Sequence, residues 1–433
     1  MSDVFLSIML VVTLIGCLAL GVWVSVALFT TGVVGILLFS NAPINSVLGT
    51  NIWSSSSEWS LAALPLFIWM GEILYRSRMS KDLFSGLAPW MRSLPGGLAH
   101  VGVLASGIFA AVSGSSAATC ATVSKVTVPE LKARGYDEKL VLGTIAGSGT
   151  LGLLIPPSII LIVYGVAAEI SIARLFIAGV VPGIMMVGLF MAYVGIWSTI
   201  NSSKVPAKDA PLSFKEKIKA TRTLLPVTLL ILGVIGSIYS GIASPTDSAA
   251  VGVVISLLLS WLFGDLSWKS FKEGLMAATL SSSMIAFILA GSAFLTVAMG
   301  YSNIPMVLAH WITDLGMSHY MLIIALTFFF VILGSFLDGI SIVVLTSAIL
   351  LPAIQAVGID TIWFGIYLVL VVEMAQLTPP VGLNLFVLQG MTGHNIVYLS
   401  KAAFPFFLML VLGVVLVVAF PDIVLLLPKL MYS

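Results

Sequence analysis

The sequence predicts an all-α polytopic membrane protein assembled from an inverted repeat and carrying two re-entrant helical hairpins. Three observations carry that expectation. Charged residues make up 9% of the 433 positions and hydrophobic ones 59%, against about 25% charged in an ordinary soluble domain. A bilayer can solvate so apolar an exterior, and water cannot. Lys and Arg gather in a few segments separated by long stretches without either. Two proline-marked landmarks recur at one fixed separation.

Several function classes drop out at once. The net charge of +1 offers no basic face, so no nucleic-acid partner is expected. Cys17 and Cys120 cannot build a disulfide framework, and His100, His310, His319 and His394 show no metal-ligand spacing. Neither G-x-x-x-x-G-K-[ST] nor H-E-x-x-H is present, and no nucleophile–base pair stands out, so the chain reads as a non-enzyme. The G-x-G-x-x-G match at 147–152 lies in an apolar segment with no strand before it and reads as packing.

Basic residues favour cytoplasmic loops, so they orient the chain. Residues 1–3 lack the basic start of a signal peptide, and 5–39 form two helices broken near Gly21, with the N-terminus outside. Residues 60–75 cross inward to the basic segment 76–98. The apolar stretch 99–128 has basic loops on both sides, so it must be a hairpin that enters from the cytoplasm and returns. Then 140–166 runs out, 175–200 returns to the basic loop 201–222, and 223–239 runs out. The start of 248–263, Ser244-Pro245-Thr246-Asp247, reads as a capping box with Pro at N1. Residues 273–299 run out, and 319–353, free of Lys and Arg at both ends, form a second hairpin dipping from outside. Segments 361–388 and 402–427 complete about ten or eleven crossings. All of the 19 basic residues except Arg174 and Lys429 then lie inside. Within the inner loop, 215–222 forms either a short amphipathic helix on the anionic leaflet or a solvated connector. The organisation expected is N-terminal scaffold helices over 1–59, a first repeat over 60–200, the basic loop and connecting scaffold helices over 201–272, and a second repeat over 273–433.

The repeat rests on register. VSGSSAATCATVSKVTVPEL at 112–131 and SFLDGISIVVLTSAILLPAI at 335–354 are each a small or polar turn followed by a helix ending in proline, Pro129 and Pro352. LGLLIPPS at 151–158 and MAQLTPPV at 374–381 each hold a proline pair. Both landmarks are separated by 223 residues, with no gap between them. One hairpin opens inward and the other outward, so the halves are inverted, which is the pattern of secondary transporters.

A proline pair in mid-membrane removes backbone donors and frees carbonyls that lipid cannot satisfy. Such oxygens, with nearby hydroxyls, suit a small hard cation such as Na⁺. In the first half the tip Ser113-Gly114-Ser115-Ser116 would face the break 149–157. In the second, Leu337-Asp338-Gly339-Ile340-Ser341 would face 373–380, through Gln376 and Thr378. Asp338 and Glu373 are the most informative acids, since an ionisable group at membrane depth is costly. The helix N-termini at both tips would favour an anionic group. Small residues also serve close helix packing, the bland alternative for any one serine.

At FAAVSGSSAAT (109–119), GTLGLLIPPSI (149–159), SPTDSAAV (244–251) and LTPPVGLNLF (377–386), the chain resembles the large membrane subunit of TRAP transporters, the tripartite ATP-independent periplasmic family. The resemblance implies an elevator-type carrier in the bacterial inner membrane, importing organic acids by Na⁺ symport. C4-dicarboxylates, sialic acid and sulfonates are all compatible. It implies a periplasmic substrate-binding protein and a small four-helix membrane subunit, expected as a separate chain. By matching motif, one Na⁺ site involves Ser113, Ser115, Gly152, Ile155 and Pro157, and the other Gly334, Asp338, Gly339, Thr378 and Pro380. Polar groups of the same strings, Ser116, Thr119, Ser341, Gln376 and Asn384, are candidate substrate contacts. Asp247 stands where the family often has glutamate. The alternative is a stand-alone ion-coupled carrier of organic anions.

Overall fold

With no water to pair with in a bilayer, each crossing must close its backbone hydrogen bonds internally, as helix. The computed structural model describes residues 3–40, 42–206, 212–263, 265–302 and 318–432, and every regular element among them is helical. His310, Asp209 and Pro211 lie outside the described residues.

The chain opens with Asp3–Ala19 and Val24–Phe39, separated at Gly21, whose φ of +75° only glycine adopts readily. Ile44–Ser56 follows, a helix in a stretch that the charge map treats as a plain outer loop. It has no buried residue, and its Asn- and Ser-rich sequence lacks an apolar period. Ala63–Tyr75 packs on Pro245–Leu262 and Trp268–Ser302, and Val24–Phe39 lies along the latter. Pro245–Leu262 starts as expected, with Ser244 and Asp247 capping each other's backbone amides. Of the two readings of 215–222, the structure has the short amphipathic helix, Phe214–Thr221, started by a Ser213–Glu216 capping box. It is tied to the helix Met79–Met91 where Trp90 Nε1 donates to Thr221 Oγ1 at 2.9 Å.

The two hairpins are Ala99–Ser113 with Ser116–Ala133, and His319–Gly334 with Gly339–Ala356. Their second arms begin and end 223 residues apart, the same offset as the prolines. Each hairpin is followed by a broken helix, Glu138–Thr150 with Ile159–Ala167 and Thr361–Gln376 with Leu383–Thr392, and the Pro-Pro peptide in each break is cis. The halves interlock reciprocally. Ile159–Ala167 packs on Gly339–Ala356, and Leu383–Thr392 packs on Ser116–Ala133. That exchange is what inverted repeats related by a pseudo-two-fold axis produce.

Among the described residues, six helices are long and apolar enough to cross a membrane, five of them expected crossings and the sixth, Gly339–Ala356, an arm of the second hairpin. The other expected crossings fall on shorter apolar helices and on the two broken ones. The final crossing is shorter than the sequence suggests. Ile396–Ala419 stops, and after Pro421, which has no N–H to continue it, Asp422–Tyr432 forms a separate helix against Ile172–Ile200. Small residues set the closest contacts: a Cβ on Gly143 would stand 2.1 Å from the Ala402 carbonyl oxygen.

On the basic side, one carboxylate fastens three elements together. Glu138, at the start of the first broken helix, pairs with Lys132 at the end of the first hairpin. It also meets His394 Nε2 at 2.9 Å and the Tyr398 hydroxyl at 3.4 Å, from the segment after the second broken helix. Lys132, and then His394, hold the Glu138 carboxyl below its ordinary range. A depressed carboxyl contributes stability above its unfolded pKa and loses it as pH falls through the folded value. The Tm of the purified protein is therefore expected to exceed that of Glu138→Gln at neutral pH, with the gap closing as acid protonates the group. A gap that is flat across a pH series of thermal unfolding would show that the clasp contributes nothing.

Candidate functional site

The first cluster is built where a hairpin tip meets a helix break. Gly114 ends Ala99–Ser113 in the left-handed region, φ +59°, and turns the chain into Ser115. Ser115 caps Ser116–Ala133 by accepting from the Ala118 amide at 3.4 Å. The Ser113 and Thr119 hydroxyls lie 2.8 Å apart, and Ser116 Oγ donates to the Thr150 carbonyl at 3.3 Å. Across the gap, the Ile159 amide donates to the Gly114 carbonyl at 3.2 Å, fastening tip to break. The fit leaves no room for side chains. A Cβ on Gly152 would stand 2.4 Å from the Ser115 carbonyl oxygen, and one on Gly114 2.9 Å from that of Pro157.

Ser113, Ser115, Gly152 and Pro157 are thus brought together as the sequence suggests. Ile155 differs in kind: its side chain packs toward Gly107 and Gly183, so only its backbone can serve the cluster. Among the described residues, the carbonyls of Gly152, Ile155 and Pro157 receive no backbone amide. Hard neutral oxygens of this sort fit a monovalent cation such as Na⁺ rather than a transition metal. No group of three or more His, Cys, Asp or Glu suited to a metal occurs among the described residues.

The second cluster repeats the plan with different chemistry. Asp338 caps Gly339–Ala356, accepting from the Ile340 and Ser341 amides at 3.1 and 3.2 Å and from the Ser341 hydroxyl. The second tip is therefore not the uncapped anion-binding end expected of it, because a carboxylate already holds its amides. The Val381 amide donates to the Ser335 carbonyl at 3.1 Å, the counterpart of the first clamp. Carbonyls of Gln376 and Thr378 both point at Gly382, 3.1 Å from where its Cβ would be, while the Thr378 hydroxyl turns back to Met374. Gly334 and Gly339 let the hairpin touch Ala375 and Val372.

The two clusters differ in exposure. Residues of the first break are buried except for half-buried Ile155, whereas Asp338, Pro379 and Pro380 are exposed. The candidate substrate contacts divide as well. Ser116, Thr119 and Ser341 are buried and engaged with neighbours, as above. Gln376 and Asn384 are buried with one side-chain oxygen each unpaired. Asn384 Nδ2 crosses to the Ala146 carbonyl at 3.4 Å, joining the repeats.

Glu373 lies between them, completely buried. It faces the Thr150 side chain and the Leu154 backbone, although neither carboxylate oxygen makes a hydrogen bond of normal geometry. Thr150 Oγ1 donates instead to the Gly147 carbonyl at 2.8 Å. The sequence marks Glu373 as a costly acid but assigns it to the second break; its placement against the first needs the fold.

The family model for the "Tripartite ATP-independent periplasmic transporter, DctM component" matches residues 11–423. The C4-dicarboxylate TRAP transporter large permease protein DctM of Pseudomonas aeruginosa is 34% identical, over 92% of this chain and 93% of its own length. Its namesake in Rhodobacter capsulatus is 32% identical, over 96% of this chain and 98% of its own. Among solved structures, the Alcanivorax borkumensis YdaH transporter superposes with a TM-score of 0.63 at 13% identity, covering 94% of this chain and 96% of that one. The last is a likeness of fold alone.

The tip-to-break contact makes one position intolerant. Gly152→Ala pushes a methyl into the Ser115 backbone and is expected to cost about 1–3 kcal/mol. Gly390→Ala, with open space around it, serves as the neutral comparison. Equal thermal unfolding midpoints for the two variants would refute the contact.

Proposed function

The chain belongs to the DctM component family of tripartite ATP-independent periplasmic transporters, and on that premise we propose that it is the translocating subunit of a Na⁺-driven organic-acid importer. The observation that carries the proposal is the paired tip-and-break constellation, with carbonyls of Gly152, Ile155 and Pro157 receiving no backbone amide among the described residues. Hard oxygen atoms at a helix break are what a weakly held, exchangeable Na⁺ requires. Ser113 and Ser115 add hydroxyls to the first site, and Asp338 with the Thr378 and Pro380 carbonyls would form the second.

Substrate would bind between the tips, where the Gln376 amide N–H groups could donate to it and the unpaired Gln376 and Asn384 oxygens could accept from a substrate hydroxyl. A carboxylate suits amide and hydroxyl donors there, and the first hairpin helix keeps an N-terminus capped only by neutral Ser115. The two relatives compared above are named for C4-dicarboxylates, so a small dicarboxylate is the first substrate to try. Hairpins and broken helices would move together against the scaffold helices, as an elevator in the inner membrane with the N-terminus periplasmic. A periplasmic binding protein would deliver the substrate, and a small membrane subunit would complete the scaffold.

Two measurements test this. In proteoliposomes, uptake of succinate is expected only with a Na⁺ gradient, the small membrane subunit and the binding protein together. Uptake by this chain alone, or uptake indifferent to Na⁺, would contradict the proposal. Separately, Ser115→Ala and Asp338→Asn should each raise the Na⁺ concentration for half-maximal uptake several-fold, with insertion unchanged. Wild-type Na⁺ curves for both variants would reduce these residues to packing.

A further inference from the structure

The offset of 223 residues that aligns the repeats also pairs their polar groups. Ser115 and Asp338 are one such pair, and both cap the second arm of their hairpin. One is neutral and the other an acid. Thr150 and Glu373 are another pair at the same offset, and they face each other across the interface of the halves. Here the acid belongs to the second repeat but abuts the first break, beside Leu154.

The two ion sites assigned above therefore differ in charge. The second contains its own carboxylate, Asp338. The first cluster, Ser113, Ser115, Gly152, Ile155 and Pro157, contains none. Glu373 is completely buried, neither of its oxygens makes a hydrogen bond of normal geometry, and the groups that face it, the Thr150 side chain and the Leu154 backbone, are neutral. An ionised carboxylate at such a position is stable only beside a positive charge. Among the described residues no Lys, Arg or His side chain provides one. The nearest structure suited to a cation is the break itself.

We propose that Glu373 supplies the negative charge for the Na⁺ held at the first break, reaching it from the opposite repeat. The inference rests on the assignment of that break as a Na⁺ site. It makes the first site a property of both halves: carbonyls and hydroxyls come from one repeat, and charge compensation from the other. Glu373 is a positioning and charge-balancing residue here, since no direct ligation is needed for a carboxylate in so apolar a setting to act on a nearby ion.

The test uses Na⁺ alone, with no substrate. Thermal unfolding of the purified full chain is followed while NaCl replaces choline chloride at constant ionic strength. The wild-type protein should be stabilised by Na⁺. Glu373→Gln, which keeps the shape and removes the charge, should need about tenfold more Na⁺ or above for the same stabilisation. Glu169→Gln, at the rim of a separate outer cavity, should respond like wild type. A wild-type protein indifferent to Na⁺ would overturn the ion-site assignment itself. A Na⁺-responsive wild type with an equally responsive Glu373→Gln would overturn only the role of Glu373. If Glu373→Gln does not fold, Glu373→Asp, which withdraws the charge by one methylene, should show a weakened response, and an unchanged one would count against the proposal.

Discussion

Everything in this molecule is arranged around one constraint: carbonyls freed at a helix break inside a bilayer must find partners within the protein. Two proline pairs create such breaks, and two hairpins are folded back into the membrane to meet them. The contact is made by backbone, Ile159 to Gly114 in one half and Val381 to Ser335 in the other. Because main chain must reach main chain, Gly114 and Gly152 are required by space in the first half; in the second, Gly334 and Gly339 make room for the Ala375 and Val372 side chains, and Gly382 for the carbonyls of its own break. The interlocking of each broken helix with the opposite hairpin then follows, since a clamp within one repeat buries its outer face only against the other.

Equal sequences in equal surroundings would be equally exposed, and these are not. The first break is closed over by its hairpin and by Ile172–Ile200, while Pro379, Pro380 and Asp338 of the second are exposed. Two halves with one plan but unequal environments can in principle exchange those environments without a change of fold. That capacity is the physical basis of alternating access in inverted-repeat carriers.

Much of this was legible in the sequence because the strongest constraints there are local. Proline pairs, the Ser-Gly-Ser tip, the Ser244–Asp247 cap and the clustering of Lys and Arg each act within a few residues of themselves. Register made the repeat visible, since inverted topology leaves residue spacing intact while reversing direction in space. What escaped has no local signature. Ile44–Ser56 lacks a buried face, so no apolar period marks it. The Glu138–His394 contact joins positions 256 residues apart. Ile155 entered the candidate set through its motif alone, and only the fold shows that its side chain points away toward Gly107 and Gly183, leaving its carbonyl as the group that could serve the cluster. The N-terminus of the second hairpin helix looked available because sequence does not reveal that Asp338 folds onto its own helix start.

The placement of acids makes the sharpest distinction in the chain. Carboxylates are costly in an apolar protein, and most of those here have a visible structural task. Asp137, Asp247, Asp338 and Asp360 accept amides at helix starts. Glu72, Asp82, Glu130, Glu138 and Asp422 pair with a neighbouring base. Caps and surface pairs stabilise at modest cost because water or aligned amides share the charge. Glu373 has neither arrangement: among the described residues it is the one carboxylate with both oxygens buried and unpaired. A glutamine or leucine would fill the same volume without the desolvation cost. On the proposal above, a carboxylate at the meeting of two repeats beside a helix break would be explained by the cation it attracts rather than by what it packs against.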